Sequence, residues 1–138
     1  MKVSTTINCS LDNLKLVRDF IRKALTETVD CPISTNEIIL ALDEMCSNLI
    51  IHAHSEKPQD KIQLSIEFLE QKKIIFEIID EGEPFDITTF QEPDLISLIH
   101  GKRKGGLGIR LVKKIMNEIE YFRVEGKNIC RLTKVVNG

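Results

Sequence analysis

A chain of 138 residues fits one domain, long enough to bury roughly two-thirds of its unfolded surface without a metal or disulfide staple. With 19 Lys and Arg against 21 Asp and Glu, a net charge of −2 and a pI near 5.9, there is no strong field to point to nucleic acid. A 42% hydrophobic and 29% charged composition argues against disorder. No apolar run approaches the roughly 20 residues of a bilayer span, and the start, Met1 to Thr6, is polar and has no signal-peptide core. The expectation is a cytoplasmic protein without a membrane segment. Cys9, Cys31, Cys46 and Cys130 form no CxxC pair, which predicts free thiols rather than a disulfide frame or a zinc site.

Val3, Thr5 and Ile7 alternate and predict a short edge strand before Ser10. Ser10 is placed to cap a helix over about 11–29, in which Leu14, Val17, Ile21 and Leu25 recur at helical spacing. Asp30-Cys31-Pro32 breaks that helix. Ser34 and Glu37 then have the spacing of a capping box. The helix expected from it, about 35–54, carries Ile38, Leu42, Met45 and Leu49 on one stripe.

From Ile62 to Phe68 the period changes to two residues, and a polar turn at Glu70-Gln71-Lys72-Lys73 leads into the apolar strand Ile74 to Ile79; the pair reads as a hairpin. Regular patterning fades between Asp80 and Lys104, a stretch of the length that in compact domains serves function or motion. A third helix is predicted from Gly106 to about Glu118, with Ile109, Val112, Met116 and Ile119 inward. Tyr121–Glu125 and Ile129–Val136 make a last hairpin around Gly126-Lys127-Asn128. Residues 1–138 thus read as one α+β domain, a two-layer sandwich with three helices on one face of a mixed, mostly antiparallel sheet.

Three clusters carry polar chemistry. Glu44, Asn48 and His52 recur every four residues, which places them on one helical stripe at the edge of the apolar face. An acid and an amide held there need partners, because burying either unsatisfied is costly. Asp80 ends a strongly apolar strand and opens Asp80-Glu81-Gly82-Glu83-Pro84-Phe85-Asp86, where Gly82 permits close approach of a backbone or flat ligand. Lys104-Gly105-Gly106-Leu107-Gly108 opens the third helix, with Lys102 and Arg103 just upstream. Exposed N–H groups at such a helix entry attract phosphate. Taken singly, each cluster also has a plain structural reading: a solvated helix face, a turn, a glycine-rich helix entry. Neither a dinucleotide fingerprint nor a P-loop is present.

In this order the three clusters resemble the GHKL (Bergerat-fold) ATPase superfamily over about residues 10 to 135. The wording Leu42-Asp43-Glu44-Met45-Cys46-Ser47-Asn48-Leu49-Ile50-Ile51-His52 is most similar to the anti-sigma-factor serine/threonine kinases and related switch kinases. The resemblance implies Mg²⁺ and ATP as cofactors, with Asn48 as the metal ligand. It also implies that Asp80 accepts the adenine amino hydrogen, where guanine would present a second acceptor, and that Gly82 lies against the base. Residues 86–104 would form a lid. Lys104, Gly105, Gly106, Leu107 and Gly108 would cradle phosphates, with His52 one turn beyond Asn48 near the ligand. Glu44 would be the catalytic base for an incoming hydroxyl.

Implied partners are a STAS-type antagonist protein and a sigma factor or other signalling protein. The resembling kinases form homodimers, for which the first strand and first helix are the candidate surface. Relatives often place a threonine of the last hairpin beside adenine. Here that segment reads Gly126-Lys127-Asn128-Ile129-Cys130, with Thr133 further on and Asn128 the candidate substitute. The competing expectations are a nucleotide-gated binding module without transfer activity and a detached histidine-kinase catalytic domain. The latter is disfavoured by the lack of a preceding helical dimerisation segment and by His100 falling in the expected lid. An unrelated metabolic enzyme would need a second catalytic group.

Overall fold

The computed structural model describes residues 1–26, 28, 29, 32–84, 86 and 106–136. In chain order these form β1 (Lys2–Asn8), a 3-10 turn at Leu11–Asn13, α1 (Leu14–Thr26), α2 (Pro32–Asn48), β2 (Lys61–Phe68) and β3 (Lys73–Asp80). After them come α3 (Gly106–Ile115), β4 (Glu118–Val124) and β5 (Lys127–Val135).

The five strands form one sheet in the order β1-β2-β3-β5-β4. Every pairing is antiparallel, so the expected mixed sheet is, among the described residues, wholly antiparallel. Alternation decides which face is covered. Ile62, Leu64 and Ile66 of β2, Ile74, Phe76 and Ile78 of β3, and Cys130 and Leu132 of β5 are buried. They meet Val17, Ile21 and Leu25 of α1, Ile38, Leu42 and Met45 of α2, and Ile109 and Val112 of α3 in one core. α2 lies between the other two helices. Arg18 of α1 donates to Asp43 of α2 at 2.8 Å.

Helix ends depart from the sequence expectations for identifiable reasons. Ser10 does cap, its hydroxyl accepting from the Asp12 N–H at 3.4 Å, but it caps a 3-10 turn rather than a continuous helix. α2 begins at Pro32, whose fixed φ suits a first helical position. Ser34 and Glu37 therefore sit inside the helix, where Ser34 cannot serve as the cap. At the other end α2 stops at Asn48 and widens into a π-helical turn over Leu49–Ala53. α3 ends at Ile115, since β4 has begun by Glu118.

The register places the polar centre. One cross-strand row reads Ile7, Ile62, Asp80, Asn128 and Arg123. Asp80 and Asn128 are therefore direct neighbours at the end of the helix-facing surface. Thr133 pairs with Ile75 instead, five residues along β5 from that row.

Candidate functional site

Asp80 ends β3 with its side chain 1% exposed, and three donors converge on its Oδ2. His54 Nε2 lies at 2.7 Å, the Gly82 N–H donates at 3.0 Å, and Asn128 Nδ2 donates at 3.5 Å. A carboxylate buried at the end of an apolar strand is tolerable when donors meet it in this way. The Gly82 contact is an Asx-type turn that folds the chain back directly after the strand.

His54 reaches this acid because of the π turn. Its N–H bonds the Leu49 carbonyl at 3.0 Å, five residues back, which is the π spacing. The wider turn changes the angle at which later side chains leave the axis. The expected stripe therefore breaks after Asn48: Glu44 is half-buried and Asn48 buried, but His52 is exposed and His54 is turned inward. Ser55 and Glu56 follow with φ of 48° and 56°, reversing the chain into a loop that ends at Asp60. The Asp60 carbonyl accepts from the Cys9 N–H at 2.8 Å, and its carboxylate lies 2.9 Å from His54 Nδ1.

Asn128 is satisfied at both ends of its amide. Its Oδ1 accepts from Tyr121 Oη and from an Arg123 guanidinium N–H, both at 2.6 Å. Its Nδ2 donates to the Gly82 carbonyl at 2.9 Å as well as to Asp80. Donors on one side and acceptors on the other determine the amide's orientation. Gly82 is held as closely: a Cβ there would lie 2.6 Å from His54 Cε1 and 2.8 Å from the Ala53 carbonyl oxygen. The need for glycine follows from that contact with the end of the π turn.

On α2, Asn48 Nδ2 donates to the Glu44 carbonyl at 2.7 Å, which turns its Oδ1 away from the helix backbone. Burial, reinforced by Asp43, raises the Glu44 carboxyl above its ordinary value. Among the described residues no group of three or more His, Cys, Asp or Glu converges as a metal cage. The donor set instead suits a cation that takes one protein oxygen and finds the rest elsewhere, which is the habit of magnesium. Burial, with Asp60 and Asp80 nearby, pushes the Cys9 thiol up to about 11, and burial first of all pushes Cys46 and Cys130 up to about 12. These three are free, and as neutral thiols they are inert packing.

A profile of the histidine kinase-like ATPase domain matches residues 7–134. This chain belongs to that family. Among curated members, the serine/threonine-protein kinase BtrW of Bordetella bronchiseptica is 28% identical over 70% of this chain and 67% of its own length. The serine-protein kinase RsbW of Staphylococcus aureus is 33% identical over 70% of this chain and 63% of its own. The RsbW of Halalkalibacterium halodurans is 31% identical over 65% of this chain and 56% of its own. The chain thus spans about two-thirds or less of these relatives' length.

Two solved structures share the fold. One holds RsbU and RsbW domains from Mycobacterium tuberculosis, with TM-score 0.68 and 15% identity over 97% of this chain and 32% of that one. The other is the SiaB–SiaC complex from Pseudomonas aeruginosa, with TM-score 0.63 and 13% identity over 97% of this chain and 89% of that one.

In this histidine kinase-like ATPase, Glu44 and Asn48 adjoin one another on α2, and Asp80 and Gly82 form one turn at the end of β3. Gly106, Leu107 and Gly108 open α3 as expected. Lys104, Gly105 and all of the expected lid except Asp86 lie outside the described residues. His54, Asp60, Tyr121 and Arg123 were not singled out by sequence reasoning, although Asn128 was. The one available signal was a second histidine two positions after His52.

Proposed function

We propose that this chain binds Mg·ATP and acts as a regulatory kinase of the anti-sigma-factor kind, transferring the γ-phosphate to a serine or threonine hydroxyl of a STAS-type antagonist protein, sequestering a sigma factor, or both. The observation that carries this reading is the half-buried Glu44, its carboxyl held above the usual range, one turn before an Asn48 whose amide is oriented by the Glu44 carbonyl. Phosphoryl transfer asks for positioning, charge neutralisation and a proton acceptor, and little else. Asn48 Oδ1 would hold the cation, which when bound neutralises charge on the phosphate oxygens. Glu44 would take the hydroxyl proton as the oxygen attacks phosphorus and the bond to the β-phosphate oxygen breaks. The first turn of α3 would receive phosphate on its free N–H groups. Asp80 would accept the adenine amino hydrogen, with Gly82 and Asn128 fixing the turn beneath it.

The names of the curated relatives support the kinase assignment, and the SiaB–SiaC neighbour supports a protein partner. Residues 86–104 would close over the nucleotide, with His52 and Lys104 beside it. The cytoplasm is the proposed compartment, and a homodimer through β1 and α1 the proposed assembly. Among the described residues no helix is long and apolar enough to cross a membrane.

Incubation with labelled ATP and a STAS-domain protein tests the reading. Wild type should label the partner; Glu44→Ala should abolish labelling while leaving ATP affinity within a few-fold. Asn48→Ala should lose magnesium-dependent nucleotide binding. ATP-dependent capture of the partner without labelling would instead identify a nucleotide-gated binding module.

A further inference from the structure

His54 is the least expected member of the site. It is nine-tenths or more buried, yet both ring nitrogens face carboxylate oxygens: Nε2 to Asp80 at 2.7 Å and Nδ1 to Asp60 at 2.9 Å. Ionised carboxylates only accept, so a ring nitrogen that meets Asp80 does so as a donor. The carboxylates differ in setting. Asp80 is 1% exposed, whereas Asp60 is 36% exposed on a loop anchored through Cys9. The ring also packs against Gly82, where even a Cβ would collide. It is therefore pinned from three directions.

From this we propose that His54 is a positioning residue for base recognition. Anchored by Asp60, it engages Oδ2 of Asp80 and thereby directs Oδ1 toward the amino group of an adenine. The inference rests on the nucleotide-binding reading above and extends it from the acid that meets the base to the group that aims that acid. Gly82 and Asn128 also donate to Oδ2, but His54 makes the shortest of the three contacts and alone ties Asp80 to a separate loop. An adenine is then read by its donor, while a purine without the amino group leaves Oδ1 unmet.

The test compares ATP with purine riboside triphosphate, which lacks the 6-amino group, by calorimetric titration in the presence of magnesium. Wild type should favour ATP by roughly tenfold or more, the worth of one hydrogen bond to a charged acceptor. His54→Phe keeps a ring against Gly82 but offers no donor, and should bring the preference close to one. His54→Gln places an amide N–H near the Nε2 position and should restore it.

A His54→Phe variant with undiminished preference overturns the proposal while leaving nucleotide binding intact, as does a wild type that binds both compounds equally. A wild type that binds neither compound removes the nucleotide reading itself. If His54→Phe fails to fold, the histidine ring ¹⁵N and N–H resonances of the wild type decide. ATP should move the Nε2 signals of His54 more than the des-amino compound does, and equal shifts overturn the assignment.

Discussion

A methyl group on Gly82 would lie inside the contact distance of both the His54 ring and the Ala53 carbonyl. The ring is pinned by two carboxylates and the carbonyl is backbone, so neither gives way easily. Gly82→Ala should cost about 1–3 kcal/mol of stability by urea denaturation, in the range of overpacking, and should weaken ATP binding in parallel. An unchanged midpoint would mean that the turn can shift away from Ala53 and His54. Glu44 gives a second residue-scale prediction. Its carboxyl is raised by burial and by Asp43, and only its ionised form can accept a proton. Transfer should therefore fall as pH drops through that raised value, above the value near 4.3 of a free glutamate. The acid limb of kcat/KM against pH reports it, and a limb at the ordinary position would remove Glu44 as base. Residue type and spacing singled out Glu44, Asn48, Asp80 and Gly82 as polar clusters, while the roles proposed for them come from the family resemblance. His54 was not singled out, because extending a four-residue stripe past Asn48 assumes a uniform helical twist, and the π turn breaks that uniformity.

At the scale of elements, the strands were the most legible because a period of two has one physical cause, a sheet with one covered face. Ile62, Leu64 and Ile66 are buried as their alternation requires and Lys61 and Gln63 on either side of Ile62 are exposed, although Ser65 between Leu64 and Ile66 is buried as well. Helix ends were less legible, since capping signals compete: Pro32 starts α2 before Ser34 can cap it. Ser34→Ala should accordingly change stability by less than about 0.5 kcal/mol, whereas a true cap would cost about 1 kcal/mol. Leu42→Ala, in the same helix but fully buried, should cost about 2–5 kcal/mol. Thermal or urea unfolding of the pair separates the two cases, and a large loss at Ser34 would restore the capping box.

For the whole molecule, the α+β layering followed from the order of elements, whereas the position of β5 between β3 and β4 did not. Neighbouring strands in sequence often pair. Here β3 and β4 are separated by residues 81–117, including α3, and β5 takes the place at the side of β3. That insertion brings Asn128 beside Asp80 and thus joins the last hairpin to the acid. If the site binds adenine nucleotides, magnesium with ATP or ADP should stabilise the whole fold by mass action, about 2.7 kcal/mol at a hundredfold excess over Kd. GTP should leave the melting temperature nearly unchanged, and equal shifts with GTP would contradict the role given to Asp80.

The widened turn at Leu49–Ala53 has a consequence for chain length. A π segment amounts to one residue more than an ordinary helix would use over the same rise. Shortening the 49–53 segment by a single residue would let α2 continue with regular phase, and the imidazole would then leave the axis at a different angle from the one that meets β3. Such a deletion keeps every side chain of the polar centre yet unclasps it, so here a count of residues, and not their identity, is what sustains the link between helix and sheet.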